Sequence, residues 1–211
     1  MNILKNNINY TYEIKKSKFI CCLYYVENEE DIKKIFNDLN NEHKDATHIC
    51  YAYILENKQK YSDDGEPGGT AGVPMLDVLK RNNLVNCLAV VVRYFGGIKL
   101  GAGGLVRAYR NSVNDTIKQA NLIKYIKYTY LNLYFEYNNE KYVNSIIEND
   151  NIIEKYYNEN IIYKIKIDIN ELNNFKSMLE NKNIKVEELW YFYFICCKKS
   201  FDFKYNPVYL L

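Results

Sequence analysis

NCLAVVVRYFGGIKLGAGGLVRAYRNSVNDTIKQA, residues 86–120, is the stretch on which the fold turns. Its first ten residues are almost wholly apolar and Val-rich, the strongest strand signal in the chain. From residue 105 the period changes: Leu105, Val106, Tyr109, Val113 and Ile117 fall on one helical face. Five glycines join the two halves, so a buried strand feeds a helix through a loop of unusual backbone freedom.

Working outward, KFICCLYYV (18–26) and ATHICYAYIL (46–55) read as strands, and ENEEDIKKIFNDLNNEH (27–43) between them as a helix. Its apolar positions Ile32, Ile35, Phe36 and Leu39 keep the 3.6-residue period. A short helix is expected to open near Val73-Pro74, because proline is tolerated in a first helical turn. Downstream, KYTYLNLYF, EKYVNSIIEN, IIEKYY, IIYKIKIDI, ELNNFKSMLENK and VEELWYFYF give the order βαββαβ, the spacing of a ferredoxin-like split βαβ. The expected class is α+β with two domains, 1–124 and 125–211. The second domain contains no glycine and offers no catalytic cluster, so a packing or docking surface is its expected role. The aromatic run LWYFYFICC (189–197) suits either a core strand or a protein-binding edge.

At 211 residues, 48% hydrophobic and 26% charged, the chain reads as globular. A net charge of +2 gives no global attraction to nucleic acid, so any such site must be a local patch. The N-terminus lacks a signal-peptide apolar run and no stretch approaches a membrane span, so a cytoplasmic, non-membrane protein is expected. Six cysteines, including the pairs Cys21-Cys22 and Cys196-Cys197, have no zinc-binding spacing and are expected as buried reduced thiols.

The unusual residues collect in one region. All nine glycines lie between Gly65 and Gly104, and all four arginines (Arg81, Arg93, Arg107, Arg110) in an overlapping stretch. Arginine offers a planar five-donor fork that lysine lacks. Residues 78–114 carry six basic residues and no acid, while Asp63, Asp64 and Glu66 stand just upstream in YSDDGEPGGTAG (61–72). The basic pole is neither a Walker A loop, since Ala102 replaces the lysine, nor G-x-G-x-x-G, since Val106 replaces the third glycine. It suits phosphate contact at a helix N-terminus, ahead of the competing reading in which the glycines only let the helix pack closely on the strand and the basic residues are solvated. The acids suit a divalent ion, turn caps and ion pairs to Arg93 or Arg107, or direct ligand contact, and spacing favours the caps. His48 shares a strand face with Ala46, Cys50 and Ala52 and reads as a hydrogen-bonded structural residue ahead of a general base. His43 is expected in water. Tyr94 and Tyr109, beside Arg93 and Arg110, are expected to pack.

SDDGEPGGTAGVPMLDVL and VVVRYFGGIKLGAGGLVRAY, with KKSKFI and ATHICYAY, resemble the signature of the IMPACT family in its bacterial, YigZ-like form. The resemblance implies a first domain similar to ribosomal protein S-five and a ferredoxin-like second domain, both like late domains of elongation factor G. Eukaryotic members regulate translation by restraining the amino-acid-starvation kinase; this sequence opens on the shared domain, and the kinase role is not expected here. The motif falls on Thr47, His48, Asp63, Asp64, Glu66, Arg93, Lys99, Arg107 and Tyr109, with no catalytic role, metal or cofactor attached.

Two functions are expected in order. The first is a translation-linked protein contacting RNA or the ribosome through Arg93, Lys99, Arg107, Arg110 and the backbone at Gly96, Gly97, Gly101 and Gly103. In it His48, Asp63, Asp64, Glu66 and Tyr109 would organise the cleft. The alternative is a phosphate- or metal-dependent enzyme using the acidic and Gly-rich loops.

Overall fold

The computed structural model describes residues 1–180 and 182–194, side chains from 190 onward excepted. The chain divides into two units, Met1–Tyr125 and Ile126–Leu211.

In the first unit, β1 (Asn2–Leu4), β2 (Ile8–Ile14) and β3 (Ser17–Tyr25) lead into α1 (Glu29–Glu42). The Asn28 side chain caps α1 by accepting from the Glu30 and Asp31 amides, and three acids in the first turn suit the helix dipole. Then follow β4 (His48–Ile54), β5 (Gln59–Ser62), α2 (Gly72–Arg81), β6 (Cys87–Tyr94), α3 (Ala102–Gln119) and β7 (Leu122–Lys124). Five strands form one antiparallel sheet in the order β2-β3-β6-β4-β5, and β1 pairs separately with β7.

β6, buried along nearly its whole length, is the middle strand, which explains its continuous apolar run. Its alternation divides two cores. Cys87, Ala89 and Val91 meet Met75, Leu79, Tyr109 and Val113 of α2 and α3. Leu88 and Val90 meet Ile32 and Leu39 of α1 together with Tyr53 and Leu55. One helix therefore covers one face and two cover the other. α3 begins at Ala102, inside the glycine stretch, and Val106 lies at the margin of its buried face.

The second unit runs β8 (Lys127–Phe135), α4 (Glu140–Ile146), β9 (Ile152–Tyr157), β10 (Ile161–Asp168), α5 (Leu172–Glu180) and β11 (Lys185–Phe194). The sheet order is β11-β8-β10-β9, all antiparallel, which is the ferredoxin-like arrangement. Leu131, Leu133, Ile161, Tyr163 and Ile165 alternate inward against Val143, Phe175 and Leu179. Both units are α+β. No helix among the described residues is long and apolar enough to cross a membrane. Cys21, Cys22, Cys50 and Cys87 are buried free thiols; Cys196-Cys197 and the end of the aromatic run lie outside the described residues.

Candidate functional site

Three strands place one row of side chains on the face under α2 and α3. Register puts Phe19 of β3 and His48 of β4 on either side of Arg93 of β6. Arg93 is thus aimed into the core face, and its side chain is only 7% exposed. A buried guanidinium needs a partner. Glu66, buried in the acidic loop, supplies it: Arg93 Nη1 donates to Glu66 Oε1 at 2.5 Å, and Tyr109 Oη of α3 donates to the same oxygen at 2.8 Å. The guanidinium also lies 5.4 Å from the Phe19 ring centroid and 5.6 Å from that of Phe95, within cation–π range. Among the described residues Arg93 Nε is buried without a hydrogen-bond partner.

His48 Nδ1 lies 2.7 Å from the Asp64 carbonyl, which only accepts, so Nδ1 carries a proton. Its Nε2 faces Glu66 Oε2 at 3.9 Å. Burial first, then Cys50 and the Glu66 carboxylate, push the Tyr109 phenol far above its ordinary value, so it remains a donor. The Cys50 thiol, pushed up to about 12 chiefly by burial, lies 3.0 Å from the Asp63 carbonyl and 3.4 Å from Tyr109 Oη.

The two aspartates hold the loop by other means. Asp63 Oδ2 accepts from the Gly69 amide at 2.8 Å; Oδ1 accepts from Ala71 at 3.0 Å and Gly72 at 2.8 Å. It thereby caps the N-terminus of α2, where Ala71 offers no side-chain cap. Burial pushes its carboxyl up, but the amide donors of Gly69, Gly72 and Ala71 outweigh this and hold it below the usual carboxylate value. Asp64, at φ 45°, accepts from the Ile49 amide at 2.6 Å, continuing the ladder on β4 beyond the end of β5. All three carboxylates are therefore engaged in fixing YSDDGEPGGTAG. Among the described residues no group of three His, Cys, Asp or Glu side chains is arranged to hold a metal.

The Gly loop lies beside this network and faces out. Gly96 is pressed on the β2–β3 turn: its amide donates to Ser17 Oγ at 3.1 Å, and an added Cβ would sit 2.0 Å from Lys16 C. Gly97 and Gly101 have φ 83° and 72°, and Cβ positions at Gly97, Gly101 and Gly103 meet open space. Gly101, the residue before α3, gives the helix no side-chain cap, and the first turn carries no acid. Lys99 and Arg107 are exposed, as are Lys15 and Lys16 of the turn against which Gly96 packs.

The Impact N-terminal domain matches residues 15–117. Over 188 residues the chain is 38% identical to IMPACT family member YvyE of Bacillus subtilis (strain 168), covering 84% of this chain and 87% of that protein. The chain belongs to the IMPACT family. It is also 46% identical over 112 residues to IMPACT family member YigZ of Escherichia coli (strain K12), covering 51% of this chain and 55% of that one. A crystal structure of a hypothetical protein is similar at TM-score 0.58 and 30% identity, covering 88% of this chain and 95% of that chain. Every site residue named above falls inside the matched 15–117.

In this IMPACT family member the structure brings His48, Asp64, Glu66, Arg93 and Tyr109 into one network. Arg93 joins the acids inside and leaves the exposed basic residues. Arg110 is drawn to Asp77 of α2 at 3.9 Å, half-exposed. Thr47 fastens the loop, accepting from the Phe95 amide at 3.0 Å. His43 is not in open water: Nδ1 lies 2.9 Å from Tyr94 Oη, because the end of α1 passes over the end of β6. Phe19, Ser17, Lys15 and Lys16, all within KKSKFI, also adjoin the site; strand register, which local pattern does not carry, brings them there.

Asp63→Ala is expected to destabilise the first unit by about 2–3 kcal/mol, since three amides lose their acceptor. Urea unfolding of the full chain checks this. Because the Asp63 carboxyl is depressed in the folded state, its contribution is complete above its unfolded value and fades as pH falls through the folded one. The difference between wild type and Asp63→Ala should therefore shrink in strong acid and stay constant from neutral pH upward.

Proposed function

We propose that this IMPACT family member is a translation-linked binding protein whose first unit contacts RNA, ribosomal RNA included, along the Gly loop. The translation link comes from the family resemblance. The observation that carries the RNA reading is a separation of charge: Asp63, Asp64 and Glu66 are tied to amides or to Arg93, while Lys15, Lys16, Lys99 and Arg107 stay exposed. The exposed surface around the open glycine backbone is therefore basic. An uncapped helix N-terminus with no acid in its first turn adds free N–H groups suited to phosphate. In this reading Arg93 holds the loop in place and does not itself meet the strand. The alternative enzyme built on Asp63, Asp64 and Glu66 finds each of those carboxylates already holding the loop through at least one oxygen.

The test is binding of purified protein to ribosomes and short RNAs at two salt concentrations. Lys99→Ala/Arg107→Ala removes two exposed cations and should leave folding intact. Affinity should fall, and the salt slope should flatten by roughly 0.7 per lost contact, about 1.4 in all for single strands. An unchanged slope would reject the Gly loop as the contact surface.

A further inference from the structure

On the opposite face of the same sheet lies a groove that the RNA reading does not use. An α-helix with its side chains is about 10–12 Å wide and strands lie about 4.8 Å apart, so one helix covers little more than two strands. α1 sits over β6 and β4, as the core of Ile32, Leu39, Tyr53, Leu88 and Val90 records. Edge strand β5 is left uncovered, and a cavity of about 310 Å³ opens between it and α1. That volume lies at the lower end of small-molecule sites, about 300–1,000 Å³.

Its walls have two characters. Phe36, Tyr51 and Tyr53 form an aromatic side: Tyr51 and Tyr53 lie parallel at 6.3 Å between centroids, and Phe36 meets Tyr51 edge-on at 4.8 Å. The rim carries Lys33 of α1 and Lys60 of β5, the latter directly opposite Tyr53 in register. The one acid in the lining, Glu29, already accepts from Tyr53 Oη at 2.6 Å and Lys58 Nζ at 2.7 Å. Among the described residues neither Lys33 nor Lys60 comes within salt-bridge distance of an acid, although the Glu29 carboxylate, held first by Lys58 and Tyr53, also feels the charge of Lys60. The cavity therefore presents an aromatic wall and a rim with two lysines against one acid that is already engaged by Tyr53 and Lys58.

We infer that this groove binds a nucleotide, its base against Phe36 and Tyr51 and its phosphate between Lys33 and Lys60. A purely apolar segment would desolvate both lysines without a partner. A simple acidic peptide would leave the aromatic wall unmatched. A flat π-system joined to a phosphate satisfies both at once, since bases stack on aromatic rings with little regard to sequence. The inference is independent of the Gly loop, which lies on other elements.

The experiment is titration calorimetry of the full chain with adenosine monophosphate, adenosine and ribose 5-phosphate, with amide shifts of Phe36 and Tyr51 locating the site. Adenosine monophosphate should bind saturably, and the other two at least tenfold more weakly. Lys33→Ala/Lys60→Ala, both on exposed positions, should bring the nucleotide down to the level of adenosine. Absence of saturable nucleotide binding, or binding unchanged in this variant, would overturn the inference, as would ribose 5-phosphate binding equally well. A short oligonucleotide distinguishes the source: if its binding also depends on Lys33 and Lys60, the groove takes a nucleotide of a strand; if only the monophosphate depends on them, it takes a free one. Lys99→Ala/Arg107→Ala should leave the monophosphate titration unchanged, so failure at either surface is read separately.

Discussion

Glu66→Ala should destabilise the first unit by about 3–5 kcal/mol, the range for removing one partner of a buried ion pair. The loss arises less from the bond than from what remains: Arg93, 7% exposed, would keep its charge with no carboxylate, and Tyr109 would lose its acceptor. Hydrogen exchange at the β6 amides during urea unfolding of the full chain isolates this unit from the other. The double change Glu66→Leu/Arg93→Met removes both charges and should recover most of the loss, because apolar groups of similar size are often as stable as a buried pair. If Glu66→Ala left the β6 amides as protected as in the wild type, the pair would not be what holds the acidic loop.

Gly96→Ala should be nearly as damaging, at about 3 kcal/mol or more. The new methyl would lie 2.0 Å from Lys16 C, 2.1 Å from Lys16 O and 2.4 Å from Ser17 N. All three are backbone atoms, so no side chain can swing aside. The hydrogen bond from Gly96 to Ser17 Oγ would break with the displacement. Gly103→Ala is the control within the same loop. Its Cβ meets nothing within 4 Å, and the residue is helical and exposed, so alanine should stabilise by about 0.5–1 kcal/mol. Opposite signs from two glycines seven positions apart, read by thermal and urea midpoints, would confirm that only one of them is needed for close approach.

Much of the fold is written in local pattern. The Val-rich run of β6 announces a strand buried on both faces, and the period change after the glycines announces α3. The second unit is legible because its six elements carry clean alternation or helical spacing in an order with one familiar arrangement. What local pattern leaves out is pairing. β1 and β7 are three residues each, too short for periodicity, and meet across the whole first unit. β2 alternates in its sequence but lies at a sheet edge, half-exposed, with a weak apolar signal. The candidate site divides likewise. That the acids of YSDDGEPGGTAG serve as caps follows from turn chemistry, which is local. That Arg93 turns inward to Glu66 follows from strand register, which is not. Arginine's charge suggests the surface, while its place in the alternation, with Cys87, Ala89 and Val91, puts it in the core.

The position of β6 in the sheet also bears on how the chain is made. β3 and β4 leave the ribosome first, yet each pairs with β6, which is synthesised after both. At roughly 5–20 residues per second, the interval between the end of β4 and the end of β6 lasts several seconds. Throughout it, two strands carrying Phe19, Cys21, Leu23, Cys50 and Ala52 wait with unsatisfied edges for the strand that will lie between them. The nascent protein is most open to capture or aggregation in that window, and the arrival of β6 closes it.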